Sequence, residues 1–175
     1  MTARAGEPFD LPRAVSEMKA LATAPVSPTG PTIEEGRPDT GEWTRTLGEG
    51  FVIVPLWESG PHTGVYGPEW SDAEESAQQQ LTSLARELDR NWGRHHRVSM
   101  RVPLFRNLAA EPMPPLFQAL CDADCYGDLT VWGPTPPEAA ADPRWVAVSL
   151  NQSDGDAPMI MTGVVSDRPI TELDD

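Results

Sequence analysis

The stretch WVAVSLNQSDGDAPMIMTGVV, Trp145 to Val165, decides the fold class. Val146, Val148 and Leu150 alternate with Trp145, Ala147 and Ser149, the period-two pattern of a strand. Met159 to Val165 is a second apolar run. Between the two, Asn151-Gln152-Ser153-Asp154-Gly155-Asp156 carries an Asp-Gly pair, a hairpin turn signal. Upstream, Leu129 to Trp132 reads as a further strand, and residues 133–143, with four prolines, read as the loop that follows it. Neither connection has room for a crossover helix, so the three strands are predicted to form an antiparallel meander.

Working outward, Phe51-Val52-Ile53-Val54-Pro55-Leu56-Trp57 is apolar on both faces, as a central strand would be. Pro55 removes one ladder donor and marks a strand end or bulge. Ser71 to Trp92 is the clearest helix. Ala77, Leu81, Leu84, Leu88 and Trp92 form one stripe, Ser71 and Glu74 a capping box, and Gly93 a stop. Val98, Met100, Val102 and Leu104 alternate with Ser99 and Arg101, which predicts a half-buried strand. Pro114-Pro115 opens a shorter helix from Leu116 to about Asp124. The expected order is β-α-β-α-β-β-β. The fold class is α+β in two layers: a mostly antiparallel five-stranded sheet with two helices on one face. The first strand and helix would make a right-handed crossover into the second strand. The expected core is Val52, Val54, Leu81, Leu84, Leu88, Val102, Phe117, Leu120, Val131, Val146, Val148 and Met161.

Prolines 8, 12, 25, 28, 31 and 38 make residues 1–46 read as a Pro-rich tail, leaving 47–175 as a single domain. Within the tail, Leu11, Val15, Met18 and Leu21 recur at helical spacing, a short amphipathic helix near 11–22. Too short to be stable alone, it must dock on its own domain or on a partner. In the second case those four side chains are the anchors, and removing residues 1–46 would leave the domain folded.

The 175 residues carry a net charge of −14, unevenly spread. Residues 111–175 hold twelve acids and two bases, Arg144 and Arg168. Such a field repels nucleic acid and anionic membrane and favours solubility or a protein partner with a basic surface. No apolar run approaches the roughly eighteen residues of a membrane span. The N-terminus has no apolar signal region and the C-terminus no lipidation motif. With only two cysteines there is no disulfide framework, so the expected location is cytoplasmic. Arginine outnumbers lysine twelve to one, a bias that reads first as GC-rich coding and sets a bacterial origin as the expectation.

Candidate chemistry is sparse. Cys121 and Cys125 share a helical face, and with His95 and His96 they nominally complete a Cys₂His₂ set. The order and spacing do not match zinc sites, and core packing explains the thiols. Asp154 and Asp156 resemble part of a calcium loop, but the twelfth position is Val165 and the motif fails. No metal or cofactor is expected. His62, with Glu58, Tyr66 and Glu69 nearby, has the makings of a general base but no nucleophile motif to serve. Arg86, Arg90, Arg94, Arg97, Arg101 and Arg106 fall within 21 residues. The first four are anion-binding candidates, and the same arginines also suit a structural role against the acidic final third. Six tryptophans are present. Trp132 and Trp145 lie out of phase with the expected core residues and would project from the open sheet face as partner-binding anchors.

The expectation is a non-catalytic acidic domain of inhibitor, immunity or assembly-factor type, holding a protein through an acidic, Trp-bearing surface. The alternative is a small enzyme acting on an anionic substrate in a pocket lined by His62 and arginines.

Overall fold

A computed structural model describes residues 1–60, 68–135 and 142–175, and in it one antiparallel sheet organises the chain. Its strands are β1 (Ile33–Gly36), β2 (Trp43–Gly48), β3 (Phe51–Glu58), β4 (His96–Val98), β5 (Leu129–Thr135), β6 (Arg144–Asn151) and β7 (Ile160–Ser166). They lie in the order β1-β2-β3-β7-β6-β5-β4. The helices are α1 (Leu11–Ala22), α2 (Pro68–Trp92), α3 (Arg101–Leu108) and α4 (Pro115–Asp122). The class is α+β. Among the described residues there are seven strands and four helices, where five and two were expected.

The β5-β6-β7 meander is antiparallel throughout, with Val148 opposite both Thr130 and Gly163. The β6–β7 hairpin closes through Asp154, whose Oδ1 accepts from the amides of Asp156 and Ala157, both at 2.9 Å. The β3–β7 register shifts between Pro55 and Trp57, the bulge that a proline in a central strand demands. No crossover joins β3 to a neighbouring parallel strand. The chain leaves β3 through α2 and reaches β4 at the far edge.

The sheet is covered on both faces, so the structure has three layers instead of two. Val52, Leu56, Trp132, Val146, Val148, Met161 and Val165 face α1 and α2, packing against Met18, Leu21, Leu84 and Leu88. Phe51, Ile53, Leu129, Val131, Ala147 and Val164 face α4 and the chain around it, packing against Leu116, Phe117 and Leu120. Nine of the twelve expected core residues are buried, and Val54, Leu81 and Val102 are half-buried.

One predicted element changes identity and another changes its start. The strand over Val98–Leu104 is β4 followed by α3. Pro103 falls in the first turn of α3, where its missing N–H is one the helix leaves unpaired anyway. A proline there is compatible with a helix start and not with a ladder. The long helix begins at Pro68, so Ser71 lies inside it and is not its cap. Its end is as expected: Gly93 is left-handed (φ 87°) and its amide donates to Asp89 O at 2.8 Å.

Residues 1–46 are not a tail. They supply α1, β1 and most of β2, and a boundary at 46 cuts through β2. Gly48-Glu49-Gly50-Phe51 closes a tight β2–β3 hairpin with Gly50 at φ 77°. Residues 2 and 5 bridge Trp43 and Glu58, and Arg4 and Arg13 pair with Glu7 and Glu17 to hold the entry to α1. Met18 is fully buried. A Cβ on Gly163 would come within 2.5 Å of its Sδ, so the glycine lets α1 sit against the sheet.

Met18→Ala is expected to lower unfolding stability by about 2–5 kcal/mol in denaturant titration. Deleting residues 1–46 is expected to abolish the cooperative transition. An unchanged midpoint for the first variant, or a folded second one, would contradict the placement of α1.

Candidate functional site

The side chains expected to meet a partner are used by the fold itself. Met18 and Leu21 are buried and Leu11 and Val15 half-buried, all four packed in the α1–α2 layer. Trp132 is 1% exposed and lies under α2, while Trp145 is half-buried on the opposite face among the residues packed with α4. The two indoles therefore share no surface. Their apparent mismatch with the core follows from the sheet having two buried faces. Gly133, at φ 150°, packs directly on Trp145, since a Cβ there would meet its Cδ1 at 2.3 Å.

Among the described residues the clustered arginines, Arg86 to Arg106, do not converge on a pocket. Arg86, Arg90, Arg94 and Arg97 are exposed. Arg90 pairs with Glu87 at 2.9 Å, and among the described residues the other three form no ion pair. Arg101 and Arg106 do meet the acidic C-terminus: Arg101 lies 3.8 Å from Asp175, and Arg106 donates to Asp174 O at 2.9 Å. His62 and Tyr66, on which the enzyme alternative rested, lie outside the described residues.

Where α2 ends, a polar cluster forms that the sequence reading missed. Asp89 Oδ1 accepts from the His95 amide (3.1 Å) and the Trp132 indole N–H (2.9 Å), and lies 2.8 Å from His95 Nδ1. The His95 ring stands edge-on to Trp132 at 5.7 Å, and Trp92 does so at 5.8 Å. Partial burial pushes the Asp89 carboxyl up, but the hydrogen bonds from His95 and Trp132 outweigh it and hold the group below its ordinary range. The cluster gives a buried indole its acceptor and pins the α2–β4 turn.

Cys121 and Cys125 sit in the α4 layer, on the other side of the sheet from His95 and Trp132, so the four nominal ligands do not meet. Burial, with Asp122 beside it, raises the Cys121 thiol to about 11. Burial, with Asp124 and Cys121 beside it, raises Cys125 to about 12. Both thiols stay protonated at neutral pH and are neither nucleophiles nor ready ligands.

Two cavities have charged side chains in their walls and flank β3. One, of about 520 Å³, lies between α1 and the β2–β3 edge, with Leu21, Val54 and Pro55 as walls and Arg4, Glu17 and Arg37 at its mouth. All three charged groups are already in ion pairs within the fold.

The other, of about 240 Å³, is polar and lies at the end of the sheet where β3 and β6 finish and β7 begins. Glu58, Asp124, Cys125, Asn151 and Ser153 line it. Asn151 fixes its geometry. Its Nδ2 donates to Ser149 Oγ, Ile160 O and Thr162 Oγ1, and its Oδ1 accepts from the Gly127 amide at 2.9 Å. That last bond clamps the turn after α4 to the β6–β7 hairpin. Gly127 must be small, because a Cβ would meet Leu150 O at 2.1 Å. Asp122 and Asp124 stand exposed on the α4 turn, and Asp154 and Asp156 on the hairpin whose Ser153 and Ala157 line the cavity. None of these four forms an ion pair among the described residues. Among the described residues no three His, Cys, Asp or Glu side chains are grouped to hold a metal ion, and no helix is long and apolar enough to cross a membrane.

Neither cysteine is expected to react with a thiol reagent in the native protein, and both are expected to react once it is denatured. Labelling of the folded protein would show that the α4 layer opens. Asp89→Asn is expected to cost about 1–3 kcal/mol near neutral pH. Because the folded-state pKa of Asp89 is depressed, its contribution is full above the ordinary carboxyl value and is lost as pH falls through the folded one. The stability gap between wild type and variant should therefore close below about pH 4. A gap that persists or widens in acid would contradict the assigned hydrogen bonds.

Comparison of the chain with protein-family models, with curated proteins and with solved structures returned no match.

Proposed function

We propose that this is a non-catalytic acidic binding domain, of inhibitor, immunity or assembly-factor type, acting in the bacterial cytoplasm on a protein with a basic surface. The observation that supports this reading is how the acids are sorted. Several in the N-terminal part of the chain are neutralised within the fold, while Glu34, Asp39, Asp72, Glu74 and Glu75 form no ion pair among the described residues. Glu7 and Glu17 pair with Arg4 and Arg13, Glu35 with Arg45, Glu42 with Arg37, Glu87 with Arg90, and Asp89 with His95.

The charges near the small polar cavity are not offset by a base in this way, although Asp154 closes its own turn and Asp122 accepts from Gln118. Asp122, Asp124, Asp154 and Asp156 are exposed, unpaired among the described residues, and carried on two turns that Asn151 locks together. Like charges at one end of a rigid sheet repel one another, and here no base offsets that repulsion among the described residues. They do create a local negative field that reaches about one Debye length, roughly 8–10 Å. Such a field accelerates encounter with a basic partner more than it tightens the final complex. The surface is acidic and polar, without the tryptophans first expected on it.

The test compares the full chain with a D122N/D124N/D154N/D156N variant as bait in lysate of the native host. Both are run at about 0.05 M and about 0.5 M salt, conditions that bracket strong and weak screening. The expected result is a basic protein retained by wild type at low salt, lost at high salt, and not retained by the variant. Identical retention by both baits, or no salt-sensitive retention, would contradict the reading.

A further inference from the structure

Glu58 closes β3, a strand with no polar face, and the residue is only 3% exposed. One carboxylate oxygen, Oε1, accepts the Thr2 amide at 3.1 Å. Among the described residues the second oxygen has no hydrogen bond or ion pair, and the side chain is a wall of the 240 Å³ cavity. Met1 also lines the cavity, but its amino group forms no ion pair with either carboxylate there. The second Glu58 oxygen is not among the enclosed unpaired polar atoms, so it opens on the cavity, where a carboxylate with one backbone N–H for company can be reached by a cation. Asp124 lines the same cavity and adds a second negative charge.

We infer that this cavity receives one cationic side chain, a lysine ammonium or an arginine guanidinium, presented by the partner's basic surface. The inference rests on the reading of this end of the sheet as a binding surface, and it names the group that is read there. Size agrees. Pockets that enclose whole small molecules run to about 300–1,000 Å³, and this one is smaller. The ligand set also suits an organic cation. Two carboxylates and the carbonyl and hydroxyl groups of the turns accept N–H donors, whereas the neighbouring Cys125 thiol is held protonated and offers a metal nothing. The Asn151 bonds keep the walls in place before binding, which reduces what must be ordered on association.

The test is titration of the isotope-labelled full chain with butylammonium and with butylguanidinium chloride, followed by amide chemical shifts, with butanol and calcium chloride as separate arms. Saturable shifts are expected at Glu58, Asp124, Gly127 and Ser153 with either organic cation and not with butanol. Glu58→Gln keeps the shape and an acceptor for Thr2. It is expected to weaken that binding at least about tenfold, the scale of one lost charge-assisted hydrogen bond, and Asp124→Asn is expected to weaken it less. Equal shifts from butanol, unchanged affinity in E58Q, or tighter saturation of the same amides by calcium would overturn the inference.

The inference and the proposed function fail separately. A partner lost by the four-site rim variant but kept at full affinity by E58Q would leave the function standing and remove the cavity from it. Saturable cation binding without any carboxylate-dependent partner would support the cavity's chemistry and remove the function.

Discussion

The strands β3, β6 and β7 have almost no polar side to give to water, and the rest of the molecule follows from that. In β7, every residue from Met161 to Ser166 is buried, and in β6 Val146 to Ser149 are buried in succession. A sheet with such a centre cannot leave one face open, so helices must come from both directions in sequence. The N-terminal helix and α2 seal one face, and α4, with the chain around it, seals the other. This is why the first forty-six residues, rich in proline, are built into the fold: without α1 the face carrying Met161 and Val165 would lose part of its cover. Polar groups caught in the centre are satisfied locally. Ser149 and Thr162 share a 2.7 Å hydrogen bond, and Asn151 ties into both.

That same polar core feature shapes the end of the sheet that faces outward chemically. Asn151 belongs to the buried network on one side and to the Gly127 turn on the other, so the acidic turns are fixed by the core. Charges that would spread apart if mobile are held close, around a carboxylate that the strand cannot expose. Elsewhere several acids are matched with arginines, as Glu7 and Glu17 are with Arg4 and Arg13 and Glu35 is with Arg45, and among the described residues the exposed arginines of α2 and β4 lie apart from the acid-lined cavity.

Much of the sheet was legible in the sequence because its signals are local. Alternation through Val146–Leu150, the Asp-Gly turn and Pro55 each act within a few residues, and each gave the right element. The β2–β3 hairpin carried a comparable signal in Gly48-Glu49-Gly50, but the density of prolines upstream made Trp43–Thr46 read as the end of a tail. The Val98–Leu104 alternation was genuine yet ambiguous, and Pro103 was the residue that spoke against a strand. Trp132 and Trp145 were misread through one assumption, a single buried face. Strand periodicity separates the two sides of a sheet but does not say whether both are covered. The cavity had no local signal at all. Glu58, Asp124 and Ser153 are far apart in sequence and meet only because β3 and β6 finish, and β7 begins, at one end of the sheet. The one legible hint was a glutamate closing a strand that is otherwise apolar on both faces.

The proposal is that the negative charge of the four rim residues serves binding and not folding; asparagine keeps the acceptor oxygens that Asp154 and Asp122 use, so stability is the most direct measure of it. Denaturant unfolding of the D122N/D124N/D154N/D156N protein should be compared with wild type at low and at high ionic strength. If these charges only repel one another in the free protein, the variant is at least as stable as wild type, with its advantage greatest at low salt and reduced as screening increases. A variant less stable than wild type by more than about 1 kcal/mol at both salt concentrations would show that the carboxylates hold the turns together, and the acidic end would then be structure instead of a surface kept for a partner.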